Sequence, residues 1–254
     1  MELLKGIFFD QDGVIIDTER DGHRVSFNQT FKDFGFNFEW GVDEYYQLLQ
    51  IAGGKERMKH YLHTKGFGKP VEPEDEEELI KNLHKHKTEK FIELIESGAL
   101  PLRPGIKRIM QAANQSGVHI GICTTSDERA AKAIAFKILQ DIKLDFVLAG
   151  DMVSKKKPDP EIYHLALKKS DLNPDDCLVI EDSRNGVLAA RAADLKVLVT
   201  TNPYTEKEDL TGADLIVTCL GDPQGEKGTL IQATKPFDFD GVLSLNQIEQ
   251  YFFA

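Results

Sequence analysis

The stretch Ile7-Phe8-Phe9-Asp10-Gln11-Asp12-Gly13 is the first place in the chain where residue types and spacing suggest chemistry. An apolar run breaks off into two carboxylates at positions i and i+2, followed by a glycine. In open α/β sheets ligands bind beyond the carboxyl ends of the strands, so both acids leave the strand at that edge. The glycine permits a turn that would strain other residues. Taken alone, the pattern reads equally well as an acidic turn. Three further apolar runs end in a comparable way. After His119–Cys123 come Thr124, Thr125 and Ser126. Hydroxyls at a strand end and helix start can bind an anion together with free N–H groups, or simply cap the helix. After Phe146–Ala149 comes a basic loop in which Pro158 restricts the backbone of Lys157 and Pro160 can open a helix. Its plain alternative is a solvated loop. After Cys177–Ile180 come Glu181 and Asp182, acids whose burial is costly unless a metal or cationic partner compensates.

In chain order the four run ends deliver two acids, hydroxyls, a lysine and two acids. Oxygen-only ligands suit Mg2+. A phosphoryl group needs positive charge around its equatorial oxygens and an in-line nucleophile. A carboxylate can be that nucleophile, forming an acyl phosphate. A second D-x-D-G, Asp238–Gly241, follows Lys235-Pro236 rather than an apolar strand, and too little chain remains for partner motifs. It therefore reads as a decoy. His60, His63, His84 and His86 lie in helical patterns with no acid or cysteine completing a metal spacing.

The elements that must position these residues alternate. Apolar runs at Gly6–Phe9, His119–Cys123, Phe146–Ala149, Cys177–Ile180, Lys196–Thr200 and, more weakly, Asp214–Thr218 read as strands buried on both faces. Helical patterns at Gly105–Ser116, Glu128–Leu139, Pro160–Ser170 and Asn185–Ala193 lie between them. The alternation predicts an α/β fold with a doubly wound, Rossmann-like parallel sheet. Residues 18–100 show helical periodicity without a clear strand, which predicts a small all-helical domain inserted into a core made of residues 1–17 and 101–254. Pro101 and Pro104 mark the return to the core. The Gly- and Pro-rich tail around residues 221–241 reads as loop.

Composition bounds the rest. Of 254 residues, 41% are hydrophobic and 29% charged, as in ordinary globular proteins. No apolar run is long enough to span a bilayer, and the N-terminus lacks the pattern of a signal peptide. The expected compartment is the cytoplasm, or a plastid if a transit peptide has been removed. The net charge of −11 disfavours nucleic acid as a partner. An anionic substrate must then be held by local cations, N–H groups or metal. Three widely spaced cysteines argue against a disulfide framework and against zinc.

The four motifs, in this order over Lys5–Thr18 and Pro101–Thr218, resemble the haloacid-dehalogenase-like hydrolase superfamily. Asp17-Thr18-Glu19, Arg20–Arg24, Gly53–Arg57, Leu100–Gly105 and the segment Lys155–Tyr163 narrow the resemblance to its CbbY-like branch, near the β-phosphoglucomutases. Gln11 departs from it, standing where relatives commonly carry an apolar residue or cysteine. The resemblance implies that Asp10 is the nucleophile and a metal ligand. It implies that Asp12 is general acid and then base, its carbonyl ligating Mg2+. Thr124 and the N–H of Thr125, with Ser126 beside them, would hold phosphate, and Lys157 would neutralise it. Asp182 would ligate Mg2+, with Glu181 supporting the metal through water. The helical insertion would be the superfamily's cap. Glu19 and His23, where the cap begins, would contact substrate.

The implied reaction is hydrolysis of a sugar phosphate by a monomeric enzyme, with xylulose 1,5-bisphosphate as the expected substrate. A sugar phosphomutase is the alternative, and a silent binding protein on this fold is disfavoured by the intact acids and lysine. The core motifs account for one phosphate. A second needs its own cations, and Gly53-Gly54-Lys55-Glu56-Arg57 offers them: close backbone approach, a helix start, a point charge at Lys55 and a bidentate grip at Arg57. Arg24 and Arg103 are further candidates. The plain alternative is a glycine turn opening an exposed helix.

Overall fold

The structure is a computed structural model that describes residues 3–49, 51, 54–126 and 128–254, leaving aside the side chains of 129, 130 and 151. The apolar runs form strands β1 (Gly6–Phe9), β2 (His119–Cys123), β3 (Phe146–Leu148), β4 (Cys177–Glu181), β5 (Lys196–Thr200) and β6 (Leu215–Val217). Among the described residues these join β7 (Leu230–Ala233) in one sheet of order β3-β2-β1-β4-β5-β6-β7. All pairings are parallel except β6 with β7. Ile7, Phe8 and Phe9 are all buried, so neighbouring residues pointing to opposite faces are both covered. This is why the strands read as unbroken apolar runs.

The remaining core helices are α5 (Ile106–Gln115), α6 (Glu128–Ile138), α7 (Glu161–Ser170), α8 (Arg184–Ala192) and α9 (Leu245–Phe253). Ile162, Tyr163 and Ala166 of α7 pack with Val187, Ala189 and Ala190 of α8 against Phe8, Val179, Val197 and Val199. Ser183 caps α8, accepting from the Gly186 N–H at 3.3 Å.

The loop expected near the C-terminus is corrected in part. Leu230–Ala233 pairs antiparallel with β6 at the sheet edge, where Ile231 and Gln232 stand exposed. A half-exposed edge strand carries no continuous apolar run. The Asp238–Gly241 segment forms no strand and exposes both aspartates. Helix α9 opens on a Ser244–Gln247 capping box. Tyr251 ties it down: its hydroxyl donates to the Asp214 carbonyl at 2.8 Å and accepts from the Thr234 N–H at 2.9 Å.

Contacts divide the chain into two compact units, Met1–Asp17 with Pro101–Ala254, and Thr18–Leu100. The second contains a π-helical turn (Thr18–His23) and helices α1 (Arg24–Asp33), α2 (Val42–Leu49), α3 (Gly54–Thr64) and α4 (Glu76–Glu96). Its core is aromatic. Trp40 packs 4.8 Å from both Phe27 and Phe31, ring centre to ring centre. Its backbone is held by the Asn28 amide, which accepts from Trp40 N and donates to Trp40 O. Glu76, Glu77 and Glu78 sit in the first turn of α4, where negative charge complements the helix dipole.

Candidate active site

Strand register brings the motifs to one edge. Phe9 lies opposite Ile122 on β2 and Ile180 on β4. Asp10, Thr124, Glu181 and Asp182 therefore all emerge within two residues of a common line across the sheet. Strand β1 lies between two parallel neighbours reached by crossovers on opposite sides, the switch point at which α/β sheets open a crevice.

Asp10, Glu181 and Asp182 are buried, and each offers a carboxylate oxygen within 4.8 Å of the others. Lys157 bridges two of them, with Nζ 2.6 Å from Asp10 Oδ1, 2.6 Å from Glu181 Oε1 and 2.8 Å from the Cys123 carbonyl. Burial alone would lower the pKa of this lysine, but the charges of Asp10 and Glu181 outweigh it and raise the pKa. Those charges favour the ammonium form of Lys157. Burial raises Asp10 well above the ordinary carboxylate range, against the opposing charge of Lys157, with Glu181, Asp182 and Asp12 adding repulsion. Burial and Glu181 likewise push Asp182 up to about 8, against the Asn202 hydrogen bond and the charges of Arg103 and Lys157.

With all three carboxylates ionised, the one bridging ammonium leaves two of their negative charges uncompensated within the cluster. The donors are hard oxygens and the deficit equals the charge of a divalent cation, so these residues fit Mg2+. Glu181 is the most enclosed of the three. Its Oε1 also accepts from Tyr163 Oη at 2.5 Å, and its Oε2 accepts from the Asp182 N–H at 3.2 Å. It is placed to brace the cluster rather than to offer an open oxygen.

Asp12 is gathered by hydroxyls. Its Oδ2 accepts from Thr124 Oγ1 at 3.2 Å and from Ser126 Oγ at 2.5 Å. Ser126 N also donates to Thr124 Oγ1 at 3.1 Å. Thr125 gives its carbonyl to Lys156 Nζ at 3.1 Å. Gly13 takes a left-handed conformation (φ 85°), and a Cβ there would lie 2.1 Å from Asp182 Oδ2. Only glycine allows the turn after Asp12 to close on the second pair of acids. Gln11 is fully buried, and neither end of its amide has a hydrogen-bond partner.

The helical unit holds a second polar group. The Tyr45 hydroxyl donates to Glu19 Oε2 at 2.8 Å and accepts from Arg57 at 3.1 Å. Arg57 Nε also donates to the Ile51 carbonyl at 3.0 Å. Lys87 Nζ lies 2.9 Å from His23 Nδ1 and over the rings of Phe27 and Phe91. Burial lowers the Lys87 pKa to about 8, with Glu19 raising it and Arg57 lowering it. His23 is held well below its usual value by burial and by Lys87, Arg57 and His84. Gly54 opens α3 and Lys55 is exposed, while Gly53 lies outside the described residues.

Two candidates for a second phosphate are corrected. Arg103 is committed to backbone carbonyls, at 3.1 Å from Thr200, 2.5 Å from Thr201 and 2.8 Å from Thr218, with a further bond to the Gly13 carbonyl. Arg24 holds the carbonyls of Arg20 and Trp40. Both are structural clamps. Tyr163, Asn202, Tyr45 and Lys87 were not singled out from sequence. Asn202 carried a usable signal, because it lies two residues past the apolar run Lys196–Thr200 as Asp182 lies two residues past its own.

Comparison with known proteins agrees with this geometry. The profile of the haloacid dehalogenase-like hydrolases matches residues 4–194. The chain belongs to this family. Its relatives there include CbbY-like proteins. A CBBY-like protein of Arabidopsis thaliana is 45% identical over 89% of this chain and 72% of its own length. Protein CbbY of Cereibacter sphaeroides is 36% identical over 89% of this chain and 96% of its own. Crystal structures of CbbY from Rhodobacter sphaeroides, one with phosphate and one of a mutant with xylulose-(1,5)bisphosphate, are 36% identical. They cover 85% of this chain and 95% of theirs, with TM-scores of 0.64 and 0.63. This haloacid dehalogenase-like hydrolase is a phosphatase.

Proposed function

We propose that the enzyme hydrolyses a sugar bisphosphate through a phosphoryl group carried on Asp10, with Mg2+ as cofactor and xylulose 1,5-bisphosphate as substrate. The observation that carries this reading is the convergence of Asp10, Glu181 and Asp182 within 4.8 Å with Lys157 bridging two of them. In the first step the Asp10 carboxylate attacks phosphorus, the ester P–O bond breaks, and Asp12 gives its proton to the leaving alkoxide. In the second, the Asp12 carboxylate takes a proton from water, the water oxygen attacks phosphorus, and Asp10 leaves as carboxylate with inorganic phosphate. Thr124 and Ser126 keep Asp12 in place for both transfers. Lys157 fixes Asp10 and opposes the charge of the phosphoryl oxygens. When bound, Mg2+ would be held by Asp10, the Asp12 carbonyl and Asp182, braced by Glu181, and would supply electrostatic stabilisation of the phosphoryl group.

The second phosphate is assigned to the helical unit, to Arg57 and Lys55, with His23 and Glu19 contacting the sugar. Lys87 joins that set, because its ammonium lies 2.9 Å from His23 Nδ1. The CbbY mutant bound to xylulose-(1,5)bisphosphate supports the substrate class. The test is a pair of specificity constants. Wild type should favour the bisphosphate over the matching monophosphate in kcat/KM and release one phosphate per turnover. Arg57→Ala should lose roughly tenfold or more of that preference, a difference of about 1.4 kcal/mol, while still turning over a monophosphate. An Arg57→Ala enzyme with its preference intact would remove the second phosphate from this unit. Turnover without phosphate release would point to a mutase.

A further inference from the structure

Asn202 sits beyond the end of β5 with both ends of its buried amide committed. Nδ2 donates to Asp182 Oδ2 at 2.7 Å, and Oδ1 accepts from the Tyr204 N–H at 2.9 Å. The reverse orientation would set two acceptors against each other at one end and two donors at the other, so the amide can face only this way. Its backbone is equally fixed. Asn202 N donates to Thr205 Oγ1 at 3.2 Å, and its carbonyl accepts from the N–H groups of Thr205 and Glu206, both at 3.0 Å. The preceding carbonyl, Thr201, is held by Arg103. The same guanidinium holds Gly13, whose missing Cβ would fall 2.1 Å from Asp182 Oδ2 and 2.7 Å from Asn202 Nδ2. One oxygen of Asp182, Oδ2, thus lies between an amide donor and a glycine, in a carboxylate that offers an oxygen within 4.8 Å of those of Asp10 and Glu181.

We propose that Asn202 is a positioning residue that sets the cation preference of the site: by occupying Oδ2 of Asp182, it makes this aspartate a one-oxygen ligand. Mg2+ demands a compact octahedron and takes carboxylates through one oxygen, whereas Ca2+ accepts both oxygens of a carboxylate in a larger, flexible shell. An Asp182 freed to rotate would present both oxygens and shift the balance toward Ca2+. The inference rests on the magnesium reading above.

The experiment is calorimetric titration of the substrate-free protein with Mg2+ and separately with Ca2+, giving a Kd for each. The variants are Asn202→Ser, which keeps an oxygen for the Tyr204 N–H but cannot reach Asp182, and Asn202→Leu, which keeps the volume without the donor. The variants should bind Mg2+ about tenfold more weakly, as is usual when a partner of a metal ligand is removed. Ca2+ binding should fall less, so that the ratio of the two Kd values moves toward Ca2+ by roughly fivefold or more. Circular dichroism identifies whichever variant is folded, and either one suffices. Equal loss for both cations, or no loss, overturns the assignment and leaves Asn202 a loop-stabilising residue. Wild-type protein that binds neither cation overturns the magnesium reading and this inference with it.

Discussion

At the scale of single residues, the site stores its tension in buried carboxylates. Burial first, and then the neighbouring Glu181, carry Asp182 from an ordinary 3.8 up to about 8. An unfolded chain titrates near the ordinary value. Between those two pH values the folded protein therefore holds a proton that the unfolded chain has lost. The sign follows: this group costs nothing below pH 4, and its penalty grows as pH rises toward 8. In chelator, wild type should lose melting temperature over that range more steeply than Asp182→Asn. At pH 8 the variant should melt a few degrees higher, since about 1 kcal/mol corresponds to roughly 2–4 °C for a chain of this size. Identical slopes in the two proteins would contradict the assignment. The acids, hydroxyls and Lys157 were legible in the sequence because each follows an apolar strand at a predictable edge. Tyr163 and Lys87 were not, because each looks like one more residue of an amphipathic helix until its neighbour, Glu181 or His23, is known. Arg24 and Arg103, offered as further candidates beside a second phosphate, are found holding backbone carbonyls, and orphan carbonyls that consume a guanidinium leave no trace in sequence.

At the scale of elements, the approach of α8 to β4 decides whether Glu181 can brace the site. Gly186 lies in the first turn of α8, and a Cβ there would fall 2.0 Å from the Glu181 carboxyl carbon. Gly186→Ala should favour the isolated helix by about 1 kcal/mol. In the protein it should displace Glu181 from Lys157 and Tyr163, lowering kcat/KM by roughly tenfold or more, about 1.4 kcal/mol in the barrier, with helix content unchanged. Activity within about twofold of wild type, under 0.5 kcal/mol, would show that Glu181 tolerates movement. The strands of the parallel sheet were readable because burial on both faces makes each a continuous apolar run. Strand β7 was not: Leu230-Ile231-Gln232-Ala233 is half-exposed and is paired by an edge contact that the local sequence does not encode. Tyr251 is buried in the tail and acts through a single hydroxyl that reaches the Asp214 and Thr234 backbones, a contact the local sequence does not announce.

At the scale of the whole molecule, a chain of net charge −11 has to handle a dianionic group. In the reading proposed above, locally concentrated cations would do so: Lys157 in the α/β unit, and Arg57 and Lys87 in the helical unit. No described helix is long and apolar enough to cross a membrane. The alternation of strand and helix, broken by a helical stretch directly after the first motif, made the fold class visible from sequence, because long-range order in the chain maps onto order in the sheet. What the pattern of elements leaves open is which atom bonds to phosphorus. The most direct measurement is acid quench of the magnesium-loaded enzyme a few milliseconds after mixing with substrate labelled in the scissile phosphate, followed by peptide mapping of the trapped label. The account predicts an acid-stable, alkali-labile phosphoryl group on the peptide containing Asp10, appearing before free phosphate and absent in Asp10→Asn. Label on another residue, or an Asp10→Asn enzyme within about tenfold of wild-type turnover, would contradict it.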